Sequence, residues 1–491
     1  MIPTVQRVIE NLKNPGDSLA QRAISGGFWV FLLRIIQQLF SLGRLFILAR
    51  ILSPTDFGLM GVALLTMATL ETFSQTGFQT ALIQKRENIE SYLDSAWTFL
   101  VMRGFALFAI LYLIAPYAAA FFGAPAAEPI IQIIGISVLL QAFTNIGVLF
   151  FQKELEFNKQ FLYQFAGTLA DFIVAVSAVL ILQNVWALVF GLIAGNAVRC
   201  VASYVVHPYR PHIALDIAKI KELFGYGRWI FFSSVLIFLL TQGDDILVGR
   251  ILGATTLGLY QMAYMISNMP ATEITHVISQ VTFPVYAKIQ HSLPKLRDVY
   301  LEVLQLTTCL SFPVTVLICT LAPDFTTIFL GEQWIPMVPA MQALTVFGVT
   351  RAINATTGPV FQGIGMPKVS TLGSAIQIVV FIAIVYPLTI RWGMVGTSIA
   401  VIIPNILFLL YVGKKLVTAL ELRLTQIVSS VVVPTVGSIA MAGIIVLYKS
   451  SVNHAVSISS FLSCIILGTI IYVFFTYKIP QKTFIKLKDI I

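Results

Sequence analysis

Apolar residues run along this chain in long blocks, each near the length that carries an α-helix across a bilayer, with polar residues confined between them. The blocks fall at roughly 25–48, 57–80, 95–120, 130–151, 161–183, 186–207, 227–249, 257–283, 300–322, 335–360, 369–390, 394–413, 427–448 and 456–477. They predict about fourteen transmembrane helices. Hydrocarbon offers backbone amides no water partners, so each block must close its hydrogen bonds internally, and the loops between them are too short to fold as domains. The predicted class is an all-α polytopic membrane protein.

The pattern also repeats. Gly27, Trp29, Phe31, Leu39, Gly43, Arg50, Ile51, Leu52, Thr55, Gly58 and Leu59 recur 200 residues later as Gly227, Trp229, Phe231, Leu239, Gly243, Arg250, Ile251, Leu252, Thr255, Gly258 and Leu259. Hydrophobic bias alone does not align Gly, Trp, Arg and Thr at one fixed offset. Six predicted spans separate the copies, and an even number restores the direction of travel, so the halves are parallel repeats about an axis along the membrane normal. Residues 1–210 then form one six-helix lobe, 220–415 a second, and 427–477 an appended pair, helices 13 and 14. This layout predicts a transporter with its path between the lobes, working by alternating access.

Composition agrees, with 57% hydrophobic residues, 11% charged and a mean hydropathy of +0.88. The formal charge of +9 changes the picture only through its placement. The basic residues are dispersed through short loops and form no stripe, so no nucleic-acid partner is expected. About 21 fall on one set of alternating loops, against Arg50, Arg250, Arg391 and Lys449 on the other. That bias predicts cytoplasmic N- and C-termini. Met1–Arg22 is polar and no small-residue cleavage site follows the first block, so the first helix is expected to stay in the chain. The connector from His207 to Leu223 carries Pro208 and Pro211 and predicts a short interfacial helix over 216–224.

Little in the sequence suggests catalysis. Cys200, Cys309, Cys319 and Cys464 lie far apart in apolar blocks without metal-ligand spacing, and His276 has no second ligand nearby. No phosphate-binding Walker loop, zinc-binding His-Glu pair or nucleophile elbow occurs. The expectation is a secondary transporter with no metal, no ATP and no cofactor beyond a coupling H+ or Na+.

Charges inside the blocks are the candidate functional groups, because each costs roughly 2.5–3.5 kcal/mol at a helix centre. The cations are Arg34, Arg44, Arg103 and Arg351; the acids are Glu71, Asp171, Asp244, Asp245 and Glu273. Arg34 and Arg44 lie about 15 Å apart along one helix and share roughly one face. At the repeat offset Arg44 corresponds to Asp244, which suggests a pair closing one end of a cavity. The residues leave two readings open: ion pairs that fix helix packing, or contacts with an anionic ligand and a coupling ion. Pro270, Pro313, Pro359 and Pro404 mark expected kinks, with functional bending at Pro270 beside Glu273.

RLFILARILSPTDFGLMG at Arg44–Gly61, FSQTGFQTALIQKRE at Phe73–Glu87, and the second copy GRILGATTLGLYQ at Gly249–Gln261 resemble the bacterial polysaccharide flippases called Wzx. The likeness is closest to their colanic and teichuronic acid exporter branch, within the multidrug/oligosaccharidyl-lipid/polysaccharide (MOP) superfamily. The resemblance implies a MATE/MOP-like fold of twelve to fourteen helices in two lobes. It also implies an oligosaccharide linked through pyrophosphate to undecaprenol, moved from the inner to the outer leaflet of the cytoplasmic (inner) membrane during surface or exopolysaccharide and lipopolysaccharide synthesis. Arg34 and Arg44, with Arg103 and Arg351 behind them, would meet the pyrophosphate and sugars, the lipid tail staying among membrane lipid. Glu71, Asp171 or Glu273 would carry the coupling cation, Asp244 and Asp245 standing at a gate; the polysaccharide polymerase or export machinery is an expected partner. A lipid II flippase or a cation-coupled multidrug exporter of the same superfamily are the rivals, the latter disfavoured by the buried arginines.

Overall fold

A computed structural model describes residues 19–85, 89–451 and 456–477, leaving aside the side chains of 19–27, 84, 224–230, 232–233, 270–271, 273–281 and 283–284. Among these residues all regular structure is helical. The helices are α1 (Leu19–Ile51), α2 (Pro54–Phe73), α3 (Phe78–Gln84), α4 (Glu90–Phe121), α5 (Glu128–Ala142), α6 (Leu149–Lys153), α7 (Phe157–Leu182), α8 (Trp186–Val206), α9 (Ile217–Leu252), α10 (Ala254–Ile289), α11 (Leu293–Phe325), α12 (Val338–Gly363), α13 (Pro367–Ala419), α14 (Leu424–Ser451) and α15 (Ile458–Thr476). Among the described residues ten helices are long and apolar enough to cross a membrane. Large apolar side chains lie open along them, including Tyr117 at 75% exposure and Ile181 and Phe474 at 80%; in a multi-pass membrane protein these faces meet lipid.

One of the ten, α13, runs 53 residues, about 80 Å at the helical rise and far beyond a hydrocarbon core of about 30 Å. Gly393, at φ 57° and ψ −137°, breaks it into two helices, at the junction between the blocks predicted at 369–390 and 394–413. The turn is tight: a Cβ on Gly396 would stand 1.9 Å from the Leu388 carbonyl oxygen, and Thr389 and Thr397 share a hydrogen bond of 2.9 Å. Glycine sets this break. Pro313, Pro359 and Pro404 all lie inside continuous helix, so the kinks expected there do not end a span. The bend expected at Pro270 falls outside the described side chains.

The chain divides into two compact units, Met1–Gly258 and Leu259–Ile491. In the first, α1 lies along α7 through aromatic contacts: Trp29 on Phe161 at 5.3 Å, and Phe40 against Phe165 at 5.9 Å and Phe172 at 5.1 Å. The start of α2 shows what the Ser53-Pro54-Thr55-Asp56 motif does. Pro54 opens the helix, the Ser53 hydroxyl accepts from the Asp56 amide at 3.3 Å, and Asp56 accepts from the Ser53 amide at 2.9 Å. The other Asp56 oxygen accepts from the Val185 amide at 3.2 Å, tying α2 to the turn before α8.

Repeat-related residues meet at this point. Thr55 and Thr255 share a hydrogen bond of 2.8 Å. A Cβ on Gly58 would stand 1.8 Å from the Ala254 carbonyl oxygen, and one on Gly258 would stand 2.2 Å from that of Pro54. The contact is reciprocal between the two sequence copies.

The connector 207–216 is extended and lies against the start of α4. Asp94 accepts from the Tyr209 hydroxyl at 2.6 Å and the His212 amide at 2.8 Å, and Ser95 accepts from the Asp216 amide at 3.1 Å. The interfacial helix expected at 216–224 is not a separate element. Asp216 caps Ala218 and Lys219 at 3.0 and 3.3 Å, and the segment forms the first turns of the 36-residue α9. No proline follows to end it.

In the second unit Tyr286, Leu296, Val299, Tyr300, Val360, Phe361 and Leu416 form a core. Helices α14 and α15 pack on α11 through Met441, Ile445, Cys464 and Tyr472, with the Tyr472 hydroxyl donating to the Cys309 carbonyl at 2.7 Å.

Two outcomes follow. Gly58→Ala should lower thermal stability by roughly 2 kcal/mol, in the range for overpacking, whereas Gly413→Ala, with nothing within 4 Å of its added carbon, should not; equal melting temperatures for the two variants would contradict the tight contact. The second concerns pH. Burial, and then the Lys159 ammonium, push the His207 imidazole below its ordinary 6.5, in keeping with Nδ1 accepting the Tyr209 amide at 3.1 Å and the ring stacking on Phe150 at 5.9 Å. A depressed folded value means that stability is full above pH 6.5 and falls as pH drops through that lower value. Melting temperatures recorded below neutrality should show this slope in the wild type, and His207→Gln should remove it; an unchanged slope in the variant assigns the effect elsewhere.

Candidate functional site

Three glycines set how closely α7 and α8 approach. A Cβ on Gly191 would lie 2.6 Å from Ala175 Cβ and 2.8 Å from Asp171 Oδ1, and one on Gly195 would lie 2.8 Å from Asp171 Cβ. One on Gly167 would lie 2.8 Å from the Gly195 carbonyl oxygen and 3.0 Å from Arg199 Nε. Small residues four apart let the backbones touch. They also seat Asp171 of α7 and Arg199 of α8 side by side at the helix interface.

A third helix completes the cluster. Arg44 Nη1, on α1, donates to Asp171 Oδ2 at 2.9 Å, and Arg199 Nη1 donates to Asn196 Oδ1 at 3.1 Å. Asp171 Oδ1, Arg44 Nε, Arg199 Nε and Asn196 Nδ2 are buried with no protein partner. Arg44 thus pairs with the carboxylate while Arg199 stands beside the same aspartate without bonding it, leaving a net positive centre with donors to spare. Each residue is at least seven positions from an end of its helix, about 10 Å along the axis. The Arg44 and Asp171 side chains nonetheless keep 23% and 21% exposure. Guanidinium donors in low dielectric favour a phosphate or carboxylate.

The partner that the structure gives Arg44 is Asp171, which the repeat offset did not single out. Asp244 is buried at 4% exposure on α9, with Asp245 half-buried beside it. Arg34 is half-buried on α1. Arg351 is half-buried on α12, where among the described residues no ion pair or hydrogen bond engages it. Close by in sequence, Asn354 donates to Asn405 at 2.8 Å and Asn405 donates to Thr350 at 2.7 Å. The Glu273 side chain lies outside those described.

Arg103 and Glu71 are brought together elsewhere in the first unit. Arg103 Nε donates to the Ser74 carbonyl at 2.8 Å, and Nη2 to Ser74 Oγ at 2.8 Å and the Glu71 carbonyl at 3.1 Å. The guanidinium therefore caps the C-terminus of α2, whose last carbonyls have no intrahelical donors. Beside it opens a cavity of about 410 Å³ lined by Glu71, Thr72, Gln75, Thr76, Gly77, Phe78, Gln79, Thr80, Leu100, Arg103 and Gln141. Gly77, at φ 68°, makes the turn from α2 into α3 that wraps it.

Sequence reasoning passed over Arg199, although it lies within a predicted span. The available signal was its neighbourhood, with Asn196 three residues before it and Gly195 and Gly191 four and eight before, all on one helix face. Glu302, 7% exposed on α11, was passed over because it sits at the edge of its block.

A helical membrane bundle with charges converging inside it has the form of a transporter, and solved structures agree. The chain is similar to the lipid II flippase MurJ in an inward closed conformation (TM-score 0.75, 16% identity, 92% of this chain and 98% of that one). It is also similar to an inward-facing MATE-family multidrug resistance transporter of the MOP superfamily (TM-score 0.62, 16% identity, 78% and 95%). These likenesses show the fold, which the chain shares with both structures. Residues 47–339 match the family described as polysaccharide biosynthesis protein, and the chain belongs to that family. It is 26% identical over 343 residues to the lipopolysaccharide biosynthesis protein WzxC of Escherichia coli (strain K12), covering 70% of each chain. To the succinoglycan biosynthesis transport protein ExoT of Rhizobium meliloti (strain 1021) it is 25% identical over 325 residues, 66% of this chain and 65% of that one. Fold and family are those of a transporter, not of an enzyme.

The ion pair predicts a coupling measurable by mutation. Arg44→Ala, which strands a carboxylate, should destabilise by about 3 kcal/mol, and Arg44→Ala with Asp171→Ala by clearly less than the sum of the singles. Unfolding in detergent measures the cycle, and strict additivity would mean that the two side chains do not interact.

Proposed function

We propose that this protein is a flippase that carries a lipid-linked oligosaccharide from the inner to the outer leaflet of a bacterial cytoplasmic membrane, for polysaccharide assembly. The observation that carries the reading is the partly exposed Arg44–Asp171 pair with Arg199 beside it inside the first unit, in a chain of the polysaccharide biosynthesis family with a flippase fold. A pyrophosphate cannot enter hydrocarbon uncompensated, and paired guanidinium groups match its oxygens in charge and geometry. Undecaprenyl pyrophosphate bearing a repeat unit fits that requirement, its tail remaining in the bilayer.

In this reading Asp171 holds Arg44 while the site waits. An arriving phosphate competes for Arg44 and Arg199, and the released carboxylate becomes a seat for a coupling H+ or Na+. Arg34 and Arg351 extend the same chemistry along the path, with Glu71, Asp244, Asp245 and Glu273 as further coupling or gating groups. The loop-charge bias supports cytoplasmic termini, which places the C-terminal end of α2 on the inner side. The polysaccharide polymerase or export machinery is the expected receiver of the product.

The test is transport in reconstituted vesicles, following outward exposure of a pyrophosphate-linked lipid oligosaccharide with a sugar-binding probe, with and without a cation gradient. Wild-type protein should flip it, and Arg44→Ala and Arg199→Ala should each slow flipping at least tenfold at equal protein in the membrane. Efflux of cationic dyes without flipping would instead identify a drug exporter.

A further inference from the structure

The cavity beside Arg103 has a chemistry different from the arginine centre. Its volume, about 410 Å³, lies in the range of small-molecule sites, about 300–1,000 Å³. Among the described residues its one cation is already engaged, since Arg103 Nε and Nη2 are bound to Ser74 and the Glu71 carbonyl. The Glu71 carboxylate on the same wall cancels its charge, so the cavity offers no net attraction to an anion.

What remains is a neutral lining of amides and hydroxyls. Gln75, Gln79 and Gln141 are exposed to the cavity, and among the described residues their amide groups make no hydrogen bond to protein. Thr72 and Thr80 add hydroxyls. An amide presents two donors and an acceptor, which suits a ligand rich in hydroxyl and acetamido groups. These residues come from the end of α2, the Gly77 turn, α3 and the end of α5, so helix packing, not one loop, fixes their arrangement.

We propose that this cavity is a saccharide subsite, holding sugar residues of the transported lipid by neutral hydrogen bonds while its pyrophosphate is held separately by guanidinium groups. The assignment rests on the transport reading above and adds the part of the substrate that the arginine centre does not recognise. Gln75–Thr80, the stretch that supplies most of the lining, then sets which glycan is accepted.

The experiment compares two ligands on protein embedded in phosphatidylethanolamine–phosphatidylglycerol nanodiscs: polyprenyl pyrophosphate bearing an oligosaccharide, and the same polyprenyl pyrophosphate without sugar. Gln75→Ala with Gln79→Ala removes two exposed side chains and should leave folding intact, which thermal unfolding verifies. The pair should weaken binding of the sugar-bearing lipid about tenfold, as two lost hydrogen bonds would, and leave the bare lipid unchanged. Equal weakening of both ligands, or of neither, overturns the subsite. Flipping by the wild type, measured in vesicles of the same lipids, separates the two readings: normal flipping with unaltered variant binding removes only the subsite, whereas no wild-type flipping removes the transport reading and the subsite with it.

Discussion

Hydrocarbon supplies neither hydrogen bonds nor counter-ions, and most of this structure follows from that. Backbone groups close on themselves, which makes the described chain all helix. Side-chain charges must converge on one another, and a cost of roughly 2.5–3.5 kcal/mol for each lone charge explains why Arg44 and Asp171 meet across two helices 127 residues apart in sequence. Helix ends obey the same rule. Ser53 and Asp56 satisfy the start of α2, and Arg103, a cation that is expensive to bury, offsets that cost by bonding the carbonyls at its other end.

Those charges meet only because the backbones carrying them come close. At α7 and α8 the closeness comes from Gly167, Gly191 and Gly195, and any added methyl would push Asp171 away from Arg44 or Arg199. At the start of α2 it comes from Gly58 and Gly258, each pressed on a carbonyl near the other's copy. There the sequence repeat acquires a physical meaning. Thr55 and Thr255, alike in sequence, are alike because they bond to each other, and a reciprocal contact requires the same residue types on both sides.

The all-helical class was legible from hydrophobic length, and so was the break near 393, because apolar blocks are a one-dimensional signal; of the fourteen spans so expected, ten helices among the described residues are long and apolar enough to cross a membrane. Which residue makes the break was less so: prolines at 313, 359 and 404 read as kinks, yet neighbouring helix carries on through them, and a glycine at positive φ does the turning. The candidate charges were legible as a set but not in their pairing. Asp244 stood out as the partner of Arg44 by offset, whereas the contact of α1 with α7, fixed by Trp29, Phe40 and their aromatic partners, presents Asp171. Partner choice is a tertiary property that a list of buried charges does not contain. The cavity beside Arg103 was hidden for a similar reason, since glutamines and threonines scattered over three helices carry no periodic signature until the turn at Gly77 gathers them.

The exposure of the Arg44–Asp171 pair matters as much as its existence. A fully buried pair is a poor switch, because separating its members leaves uncompensated charge at a cost of about 3–5 kcal/mol. A fully exposed one is worth at most about 1 kcal/mol and holds nothing in place. At 23% and 21% side-chain exposure this pair lies between, and the proposed function uses both properties: strength enough to keep Arg44 on Asp171 before substrate arrives, and weakness enough for a doubly charged group to displace the carboxylate. Arg199, bound to Asn196 with its Nε unspent among the described residues, is the second fork of the proposed site, one that Asp171 does not occupy and that a pyrophosphate would. Under the proposed function the centre discriminates by charge: a cationic solute gains nothing from two arginines and one acid, and an anion with two phosphates gains from both.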